Sequence, residues 1–517
     1  MAIIDFFDRG WRSAPDVPAY IGGDRTWTFT EARDLSCRIA HGLLGAGLER
    51  ETKAAVLSPN DPRAWICVLG IWRAGLAWVP LNPAAPAPDL HRVIDEFDCE
   101  VLFYHPSLTP MVVDLAPLLP KVKHYVCLDA SADHASLADW TADQPATPPD
   151  VRYAMDDVVA VFSTGGTTGA SKGVMNTHRS FAATVAHFMI AMQYRSDEPI
   201  VNLAALPMTH AAGVFSLAAT ARGGTVVILP KGDPDAVLDA IERHRVTELF
   251  LAPTVIYRLM EVPGVADRDL SSLRFLTCGA APMSTEKLRR AIDLFGPVMA
   301  EGYGLVEVFA AVSFMRPEEH LVDGRVAPDA RLASCGRPNP LINVEIQDSD
   351  GRPVPAGRSG EICVRGDLVM KGYYKAPEKT AESIVDGWLH TGDIGHFDDE
   401  GYLFITDRKK DMIISGGLNV FPSEVEQVVW THPAVQDCAV IGVPHEDWGE
   451  MVTAVVELNP GASVGGEELI ALCKERLGSV RAPKRVEFVD SLPRSANGKV
   501  LKRAVREQYW GGRSRQV

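Results

Sequence analysis

The sequence has no uninterrupted apolar segment long enough to cross a membrane. Its longest run without Asp, Glu, Lys or Arg covers residues 199–221. Polar or helix-breaking residues interrupt this run at Asn202, Pro207, His210 and Gly213. A lipid-spanning helix of about 20 residues tolerates such interruptions poorly. We therefore expect no transmembrane segment, and the run predicts a buried strand, a turn and the start of a buried helix.

Positive charge is also in short supply. Lys and Arg number 51, Asp and Glu number 67, and the net charge is −16. This sign repels phosphate backbones and anionic lipid. We expect no nucleic-acid partner, although the net charge still permits a local basic cleft for an anionic nucleotide.

Signals for disulfides, zinc and secretion are missing as well. The nine cysteines form no Cys-x-x-Cys pair and no His/Cys cluster at zinc-ligand spacing. The N-terminus carries Asp5 and Asp8 inside its apolar start and has no basic segment before it, so it does not resemble a signal peptide. Reduced thiols fit the cytoplasm, which is the location we predict.

What remains is the composition of a large globular protein, since 46% of the 517 residues are apolar and 23% are charged. A capping box of Thr28 and Glu31 predicts the start of an early helix. Apolar runs alternate with helical patterns, which predicts an α/β protein with parallel sheets. The Pro- and Asp-rich stretch 107–150 suggests a surface excursion. Buried strands are predicted at 54–57, 101–104, 158–162, 225–229, 249–252 and 275–277, with helices at 235–244 and 284–294.

The elements become shorter past residue 400. A second capping box, Ser423 with Glu426, predicts a helix start there. A unit of about 110 residues with this mixture is large enough to be a separate α+β domain. Short elements are predicted at 402–406 and 411–414, strands at 438–443 and 452–458, and a further helix at 467–477.

The strongest local motif is a buried strand that runs into a loop rich in glycines and hydroxyls, residues 158–174. Backbone N–H groups and hydroxyls of such a loop can bind a phosphate, with Lys172 supplying positive charge. Ser171 precedes the lysine and Gly173 follows it, which excludes a Walker loop, and the glycine spacing excludes a Rossmann fingerprint.

This loop resembles the Thr-Ser-Gly-Thr-Thr-Gly-x-Pro-Lys-Gly signature of the adenylate-forming superfamily. Gly165 replaces the usual Ser and Ser171 the usual Pro. The loop residues that match are Thr164, Gly166, Thr167, Thr168, Gly169, Lys172 and Gly173. Further segments match in the family's order: 279–282, 301–307, 388–393, 407–410, 415–426 and 493–499. The resemblance therefore covers essentially the whole chain.

The resemblance implies an α/β enzyme with a large N-terminal domain of layered sheets and helices, residues 1–408, and a small mobile α+β C-terminal domain, residues 409–517. The implied enzyme is an ATP-dependent acyl-CoA synthetase. An acid and ATP give acyl-AMP and pyrophosphate, and coenzyme A then displaces AMP. The residues implied to bind the nucleotide are Thr164, Gly165, Gly166, Thr167, Thr168, Gly169, Lys172, Gly279, Ala280, Ala281, Glu301, Gly302, Tyr303, Gly304, Asp393 and Arg408.

Individual roles also follow from the resemblance. Asp393 is similar to the family's ribose-binding aspartate, with Arg408 beside it, and Tyr303 resembles the aromatic residue that stacks on adenine. Glu307, together with Thr168, is implied to bind Mg²⁺. Activation of a carboxylate by ATP brings two anions together, so a cation and a metal are needed at the α-phosphate.

Lys499, on the small domain, is the implied cation that bridges the acid and the nucleotide. His210 is implied to gate the acid pocket or to contact the acid. The acid pocket is predicted to be lined by His210, Ala211, Gly213, Val214, Gly279 and Gly304. No Asp lies in this region to hold a substrate ammonium, so these small apolar walls favour a fatty or aromatic monocarboxylic acid over an amino acid.

The thioester step is implied by Ser415, Gly416 and Gly417, which resemble the segment that forms the pantetheine tunnel when the small domain rotates. Lys410 lies where the family's hinge residue falls. The expected partners are the acid, ATP and coenzyme A, and the expected state is a monomer or homodimer.

Two alternatives stay open. One is transfer of the acyl group to a carrier-protein pantetheine. The other is a catalytically impaired binding homologue, because Val306 replaces the family's usual threonine and cannot donate a hydrogen bond to the α-phosphate.

Overall fold

The computed structural model describes residues 1–23, 25–164, 172–209, 211–309, 312–409, 411–494 and 500–510. None of the helices in these ranges is long and apolar enough to cross a membrane, as the interrupted run 199–221 led us to expect. That run contains a strand over Val201–Ala204 and a buried helix over Ala211–Thr220.

The α-helices in the described ranges are α1 (Ile3–Ser13), α2 (Phe29–Gly45), α3 (Pro62–Arg73), α4 (Ala87–Glu96), α5 (Thr109–Leu115), α6 (Leu137–Thr141), α7 (His178–Ala191), α8 (Ala211–Thr220), α9 (Pro234–His244), α10 (Pro253–Met260), α11 (Thr285–Phe295), α12 (Asp329–Leu332), α13 (Pro377–Ser383), α14 (Pro422–Trp430), α15 (Gly466–Arg481) and α16 (Lys502–Trp510).

The strands are β1 (Pro18–Gly22), β2 (Arg25–Thr28), β3 (Lys53–Leu57), β4 (Ala77–Leu81), β5 (Cys99–Tyr104), β6 (His124–Cys127), β7 (Ala135–Ser136), β8 (Val158–Thr164), β9 (Lys172–Thr177), β10 (Val201–Ala204), β11 (Thr225–Ile228), β12 (Glu248–Leu251), β13 (Phe275–Gly279), β14 (Met299–Tyr303), β15 (Ser313–Met315), β16 (Leu321–Val322), β17 (Arg325–Val326), β18 (Arg337–Pro338), β19 (Ile342–Gln347), β20 (Gly360–Gly366), β21 (Gly372–Tyr373), β22 (Ile384–Val385), β23 (Trp388–Phe397), β24 (Leu403–Arg408), β25 (Ile413–Ser415), β26 (Leu418–Val420), β27 (Val435–His445), β28 (Gly449–Leu458) and β29 (Arg485–Val489).

Two large sheets form the body of the chain. The first sheet has the order β18-β15-β14-β13-β12-β10-β11-β1-β2, and the second has the order β21-β9-β8-β4-β3-β5-β6-β7. Their inner strands pair in parallel, for example β12 with β13 and β3 with β5. Parallel strands joined by helices bury both faces of a sheet, which explains the continuous apolar runs in the sequence.

A cluster of three tryptophans fills the space around α3 and β4. Trp65, Trp72 and Trp78 contact one another edge to face with ring centroids 5.7–5.9 Å apart. Such pairs stabilise a core beyond the area that they bury. Trp65 also lies against Gly213 of α8, so the cluster supports the helix that follows His210.

Two five-stranded sheets and the separate two-stranded pair β16–β17 complete the fold. The third sheet consists of β19, β20, β23, β22 and β24, and all its pairs are antiparallel. The fourth sheet consists of β26, β25, β28, β27 and β29, and α14, α15 and α16 pack on it. The first three sheets use residues up to Arg408 and the fourth uses residues from Ile413 onward. The chain is thus a mixed α/β protein with a large N-terminal and a small C-terminal part.

Sequence patterns correctly predict those strands and helices whose stabilising contacts lie within a few residues of one another. The six predicted buried strands all exist within one or two residues of their predicted bounds, as do the helices α9 and α11. The capping box at α2 is confirmed: the Thr28 hydroxyl accepts from Glu31 N at 3.1 Å, and the Glu31 carboxylate accepts from Thr28 N at 2.8 Å.

Two expectations are wrong. Residues 107–150 are not only a surface excursion, because they contain β6, which pairs in parallel with β5 inside the second sheet. Ser423 does not cap α14: Pro422 occupies the first helical position, so Phe421 is the N-cap. Ser423 N donates to the Asp407 carboxylate at 3.0 Å instead, and the Ser423 hydroxyl donates to the Thr406 carbonyl.

The close approach of α1 to α8 generates a stability prediction. A Cβ on Gly10 would overlap the Thr220 carbonyl oxygen, whereas a Cβ on Gly45 would meet nothing within 4 Å. Gly10→Ala should therefore separate the two helices and destabilise the fold by about 1–3 kcal/mol. Gly45→Ala, the matched control at the exposed end of α2, should be neutral or stabilising by up to about 1 kcal/mol. Thermal unfolding measures both; equal shifts would contradict the proposed packing.

Candidate active site

The predicted phosphate loop leaves the end of β8 and returns as β9. Thr164 pairs with Lys172 across the two antiparallel strands, and the Thr164 hydroxyl donates to the Lys172 carbonyl at 3.3 Å. The two ends of the loop are therefore held together. Five predicted loop residues, Gly165, Gly166, Thr167, Thr168 and Gly169, lie outside the described residues.

Tyr373 connects Lys172 to Glu307, the predicted metal-binding residue. It lies on β21, which pairs with β9. Its hydroxyl donates to Glu307 Oε1 at 3.0 Å, and Lys172 Nζ lies 4.5 Å from the centre of its ring. Burial and the adjacent Glu307 raise the pKa of Tyr373, so its hydroxyl keeps the proton that it donates. No pattern in the sequence points to Tyr373, because its partner is 66 positions away.

The residues around Glu307 suit a magnesium ion that arrives with a nucleotide. The described residues contain no group of three or more His, Cys, Asp or Glu side chains that could hold a metal by themselves. Mg²⁺ characteristically uses one or two carboxylates and completes its shell with phosphate oxygens and water. A single positioned carboxylate therefore fits Mg²⁺–ATP better than a resident metal.

Asp393, the predicted ribose-binding residue, is buried and shared by two partners. The Tyr303 hydroxyl donates to its Oδ2 at 2.7 Å, and Arg408 Nε lies 3.0 Å from its Oδ1. Asp393 and Arg408 are direct neighbours across β23 and β24, whereas Tyr303 comes from β14 of the first sheet. The structure thus brings three predicted nucleotide residues together. Each carboxylate oxygen keeps a second lone pair for a ribose hydroxyl.

Glu301 lies two residues before Tyr303 on β14 and therefore on the same face of the sheet. Burial raises its pKa to about 8, so the carboxyl is mostly uncharged at neutral pH. His320 is fully buried with its Nε2 at 4.0 Å from the Glu301 carboxylate, and burial lowers the pKa of His320 to about 4. A neutral carboxyl group both donates and accepts hydrogen bonds, which suits the polar edge of a base.

The predicted Gly279–Ala281 segment turns away from β13 beside β14. A Cβ on Gly279 would lie 2.9 Å from the Phe250 ring of β12 and 3.0 Å from the Gly302 carbonyl of β14. The end of β13 can approach both neighbouring strands this closely only because Gly279 lacks a side chain. Gly302 is its partner in register. Ala280 has φ +67°, a left-handed conformation that a non-glycine residue adopts at a cost. Ala281 and Gly304 are both half-buried.

The predicted acid pocket is only partly described. His210 and the side chain of Ala211 lie outside the described residues. A Cβ on Gly213 would overlap the Met208 carbonyl and clash with Trp65, and Val214 is buried in the core. Gly213 thus allows α8 to lie directly against the tryptophan cluster, which forms an apolar wall behind this segment.

The residues before the predicted hinge are tied to the ribose-binding strand. Lys410 itself lies outside the described residues. Lys409 N donates to the Gly392 carbonyl at 2.9 Å, and Lys409 Nζ lies 3.2 Å from the Glu361 carboxylate. Glu361 also accepts from Gly392 N at 3.1 Å and contacts His390 Nδ1 at 3.2 Å. Burial acts to raise the pKa of Glu361, but His390 and Lys409 hold it below its usual value. Nothing in the sequence pattern pointed to Glu361.

The predicted CoA segment joins β25 to β26 at the edge of the fourth sheet. Gly416 and Gly417 have φ +57° and +78°, a tight turn that glycine makes without strain. Gly416 N donates to the Trp448 carbonyl at 2.9 Å, while Ser415 is buried. Leu418 is 54% exposed and Trp448 is 38% exposed, so this end of the small domain faces solvent.

Lys499 lies outside the described residues, but the chain before it is anchored. Arg494 Nη2 lies 2.8 Å from the Asp437 carboxylate and 3.2 Å from the Glu457 carboxylate. Leu492 N donates to the same Glu457 oxygen at 2.9 Å. These contacts fix the segment to β27 and β28, at the opposite end of the fourth sheet from Gly416 and Gly417.

Comparison with known proteins places the chain among enzymes. Residues 7–374 match the AMP-binding enzyme family and residues 424–499 match the AMP-binding enzyme C-terminal domain. A feruloyl-CoA synthase from an Amycolatopsis species is 37% identical over 501 residues, 96% of this chain and 97% of the relative. The medium/long-chain-fatty-acid–CoA ligase FadD8 of Mycobacterium tuberculosis is 35% identical over 524 residues, 97% of this chain and 89% of the relative.

A solved structure, that of the amide bond synthetase McbA from Marinactinospora thermotolerans, is 34% identical with a TM-score of 0.89 and covers 98% of this chain and 100% of its own. The chain therefore belongs to the AMP-binding enzyme family of the adenylate-forming superfamily, as an AMP-forming acid–CoA ligase.

Proposed function

We propose that the protein activates a hydrophobic monocarboxylic acid, fatty or aromatic, as its acyl-AMP and transfers the acyl group to coenzyme A in the cytoplasm. The observation that carries the nucleotide part is the shared Asp393 carboxylate. Two neutral or cationic donors, Tyr303 and Arg408, hold it where a ribose diol would bind. Domain boundaries at residues 408 and 409 and a mobile small domain are part of the proposal.

In the first half-reaction, Asp393 accepts from the ribose hydroxyls and Tyr303 contacts the adenine. Lys172 and the loop after β8 bind the phosphates, and Glu307 and Thr168 would hold Mg²⁺ when it is bound. The metal, when bound, supplies positive charge at the phosphates. A carboxylate oxygen of the acid forms a bond to the α-phosphorus, and the bond to the pyrophosphate oxygen breaks. Lys499 offsets the negative charge of both reactants, and Tyr373 keeps Glu307 in place.

In the second half-reaction, the thiolate of coenzyme A attacks the acyl carbonyl and AMP leaves with the bonding electrons. The acyl group ends on sulfur and no protein cysteine is required. All nine cysteines are free, and eight of them are buried. Ser415, Gly416 and Gly417 are the segment proposed to line the pantetheine path, after rotation about Lys410.

The substrate class rests on the apolar environment of α8 and on the relatives. Gly213 packs on Trp65, and Val214 lies in the apolar core. The relatives are named for an aromatic acid and for fatty acids. His210 remains the proposed contact or gate for the carboxylate.

The impaired-homologue alternative depends on Val306. In the structure Val306 is half-buried and packs against two apolar clusters, and the adjacent Glu307 keeps its contact with Tyr373. The substitution therefore leaves the metal-binding carboxylate positioned. This favours an active enzyme.

The test of the proposal is acid-dependent release of pyrophosphate from ATP. Ferulate, decanoate and phenylalanine are compared, each alone, with coenzyme A and with a phosphopantetheinylated carrier protein. We expect release with ferulate or decanoate and a CoA thioester product. Product on the carrier protein alone would favour the carrier alternative, and no release with any acid would favour the binding homologue.

Tyr373 gives a sharper prediction. Tyr373→Phe keeps the ring below Lys172 and removes the hydrogen bond to Glu307, so the Mg²⁺ concentration for half-maximal pyrophosphate release should rise about tenfold. Binding of Mn²⁺–ATP, followed by electron paramagnetic resonance without acid, should weaken by a similar factor. The control is Tyr374→Phe, whose hydroxyl binds Asp98 at 2.6 Å outside the site. Equal effects of the two substitutions would rule out a specific role for Tyr373.

Val306→Thr restores the family's hydroxyl. If other groups supply the phosphate contact, the rate of adenylation should stay within about tenfold of the parent, that is within about 1.4 kcal/mol. Steady-state pyrophosphate release is the measurement. A hundredfold gain would mean that Val306 impairs the natural enzyme.

A further inference from the structure

Lys287 makes a contact that crosses from the large to the small domain. It lies on α11, which follows the Gly279–Ala281 segment in the large domain. Its Nζ donates to the Gln436 carbonyl of β27 at 2.9 Å. The acceptor is 149 residues away along the chain, on the far side of the proposed hinge.

The lysine is fixed on the large-domain side by Tyr257. Lys287 Nζ lies 4.2 Å from the centre of the Tyr257 ring. The Tyr257 hydroxyl accepts from Ser284 N, at the N-terminus of α11, at 3.2 Å. Burial lowers the pKa of Lys287, which means that its ammonium has lost part of its water. A partly desolvated ammonium above an aromatic face needs an acceptor for its remaining donors, and the Gln436 carbonyl is one.

The Gln436 end of β27 is also the end to which Arg494 is bound. Asp437, the next residue, binds Arg494, which precedes Lys499 by five positions. The Asp437 carboxylate also accepts from Trp430 Nε1 at 3.1 Å and from its own neighbour Cys438 N at 2.8 Å, so it is rigidly held. A contact at Gln436 thus anchors the segment that leads to Lys499.

In the same orientation the CoA segment is turned outward. Gly416 and Gly417 lie at the opposite end of the fourth sheet, beside the exposed Leu418 and Trp448. Rotation of the small domain about Lys410 would carry Gln436 away from Lys287. The contact therefore stabilises one orientation and not the other, which is the requirement for a residue to bias a two-state equilibrium.

We propose that Lys287 is a positioning residue for adenylation: by binding the Gln436 carbonyl it holds the small domain in the orientation that presents Lys499, and it releases that domain for thioester formation. The inference rests on the proposed two-step function.

The test measures the two half-reactions separately, with the acid that the parent activates. Lys287→Met keeps the length and apolar stem of the side chain and removes the donor. Loss of a charged hydrogen bond should lower acid-dependent pyrophosphate release about tenfold or more. Conversion of supplied acyl-AMP and coenzyme A to the thioester should stay within twofold of the parent or rise. Lys287→Arg, which restores a cationic donor, should recover most of the adenylation rate.

The matched control is Arg290→Met on the same helix. Arg290 pairs with Glu261 at 2.9 Å inside the large domain, so both half-reactions should keep the parent rates. Equal losses in both half-reactions of Lys287→Met, or no loss in either, would overturn the inference. If the parent itself performs neither half-reaction, the proposed function fails instead, so the two failures are distinguishable.

Discussion

The buried Asp393 carboxylate is the interaction on which the rest of the site depends. It is 3% exposed, and a charge so far from water is stable only with close partners. Tyr303 arrives from the first sheet, and Arg408 from the last strand before the small domain. The carboxylate therefore joins the first and third sheets at the place proposed for the ribose. Removing either partner would leave the charge underpaired, so the geometry of the site and the packing of the sheets are set together.

Glu361 extends this arrangement to the hinge. It binds the backbone of Gly392, one residue before Asp393, and the side chain of Lys409, one residue before the proposed hinge. Glu361 therefore binds Gly392 and Lys409, and the neighbouring Asp393 carboxylate binds Arg408. A rotation of the small domain must be absorbed in the few dihedral angles beyond Lys409, since the chain before it cannot move without breaking these bonds. These bonds would therefore keep the proposed ribose site fixed during the proposed rotation of the small domain.

The fold was predictable where the determining contacts lie within a few residues. The capping box of Thr28 and Glu31 could be predicted because these two residues bind each other. The buried strands could be predicted because parallel sheets are covered on both faces and their strands are therefore continuous apolar runs. The cap predicted at Ser423 was wrong because Pro422 moved the start of the helix by two positions. The prediction for residues 107–150 was wrong because polar turns on both sides of β6 concealed this strand.

The candidate site was predictable mainly through the family resemblance. It supplied Asp393, Arg408 and Tyr303, which the structure brings into one hydrogen-bonded group. The residues that support the site could not be predicted because their partners are distant in sequence. Tyr373 and Glu307 are 66 positions apart, and Lys409 and Glu361 are 48 positions apart. Neither pair leaves a periodic or spaced pattern in the sequence.

The same contacts explain how a protein with a net charge of −16 can offer a site to an anionic nucleotide. Two acidic groups of the proposed site, Glu301 and Asp393, are compensated in different ways. Glu301 is held mostly uncharged by burial, which raises its pKa to about 8. Arg408 pairs with Asp393, and Lys172 Nζ lies 4.5 Å from the centre of the Tyr373 ring, whose hydroxyl binds Glu307. Because a local field depends on near and desolvated charges more than on the total, the acidic surface does not prevent binding of a polyphosphate.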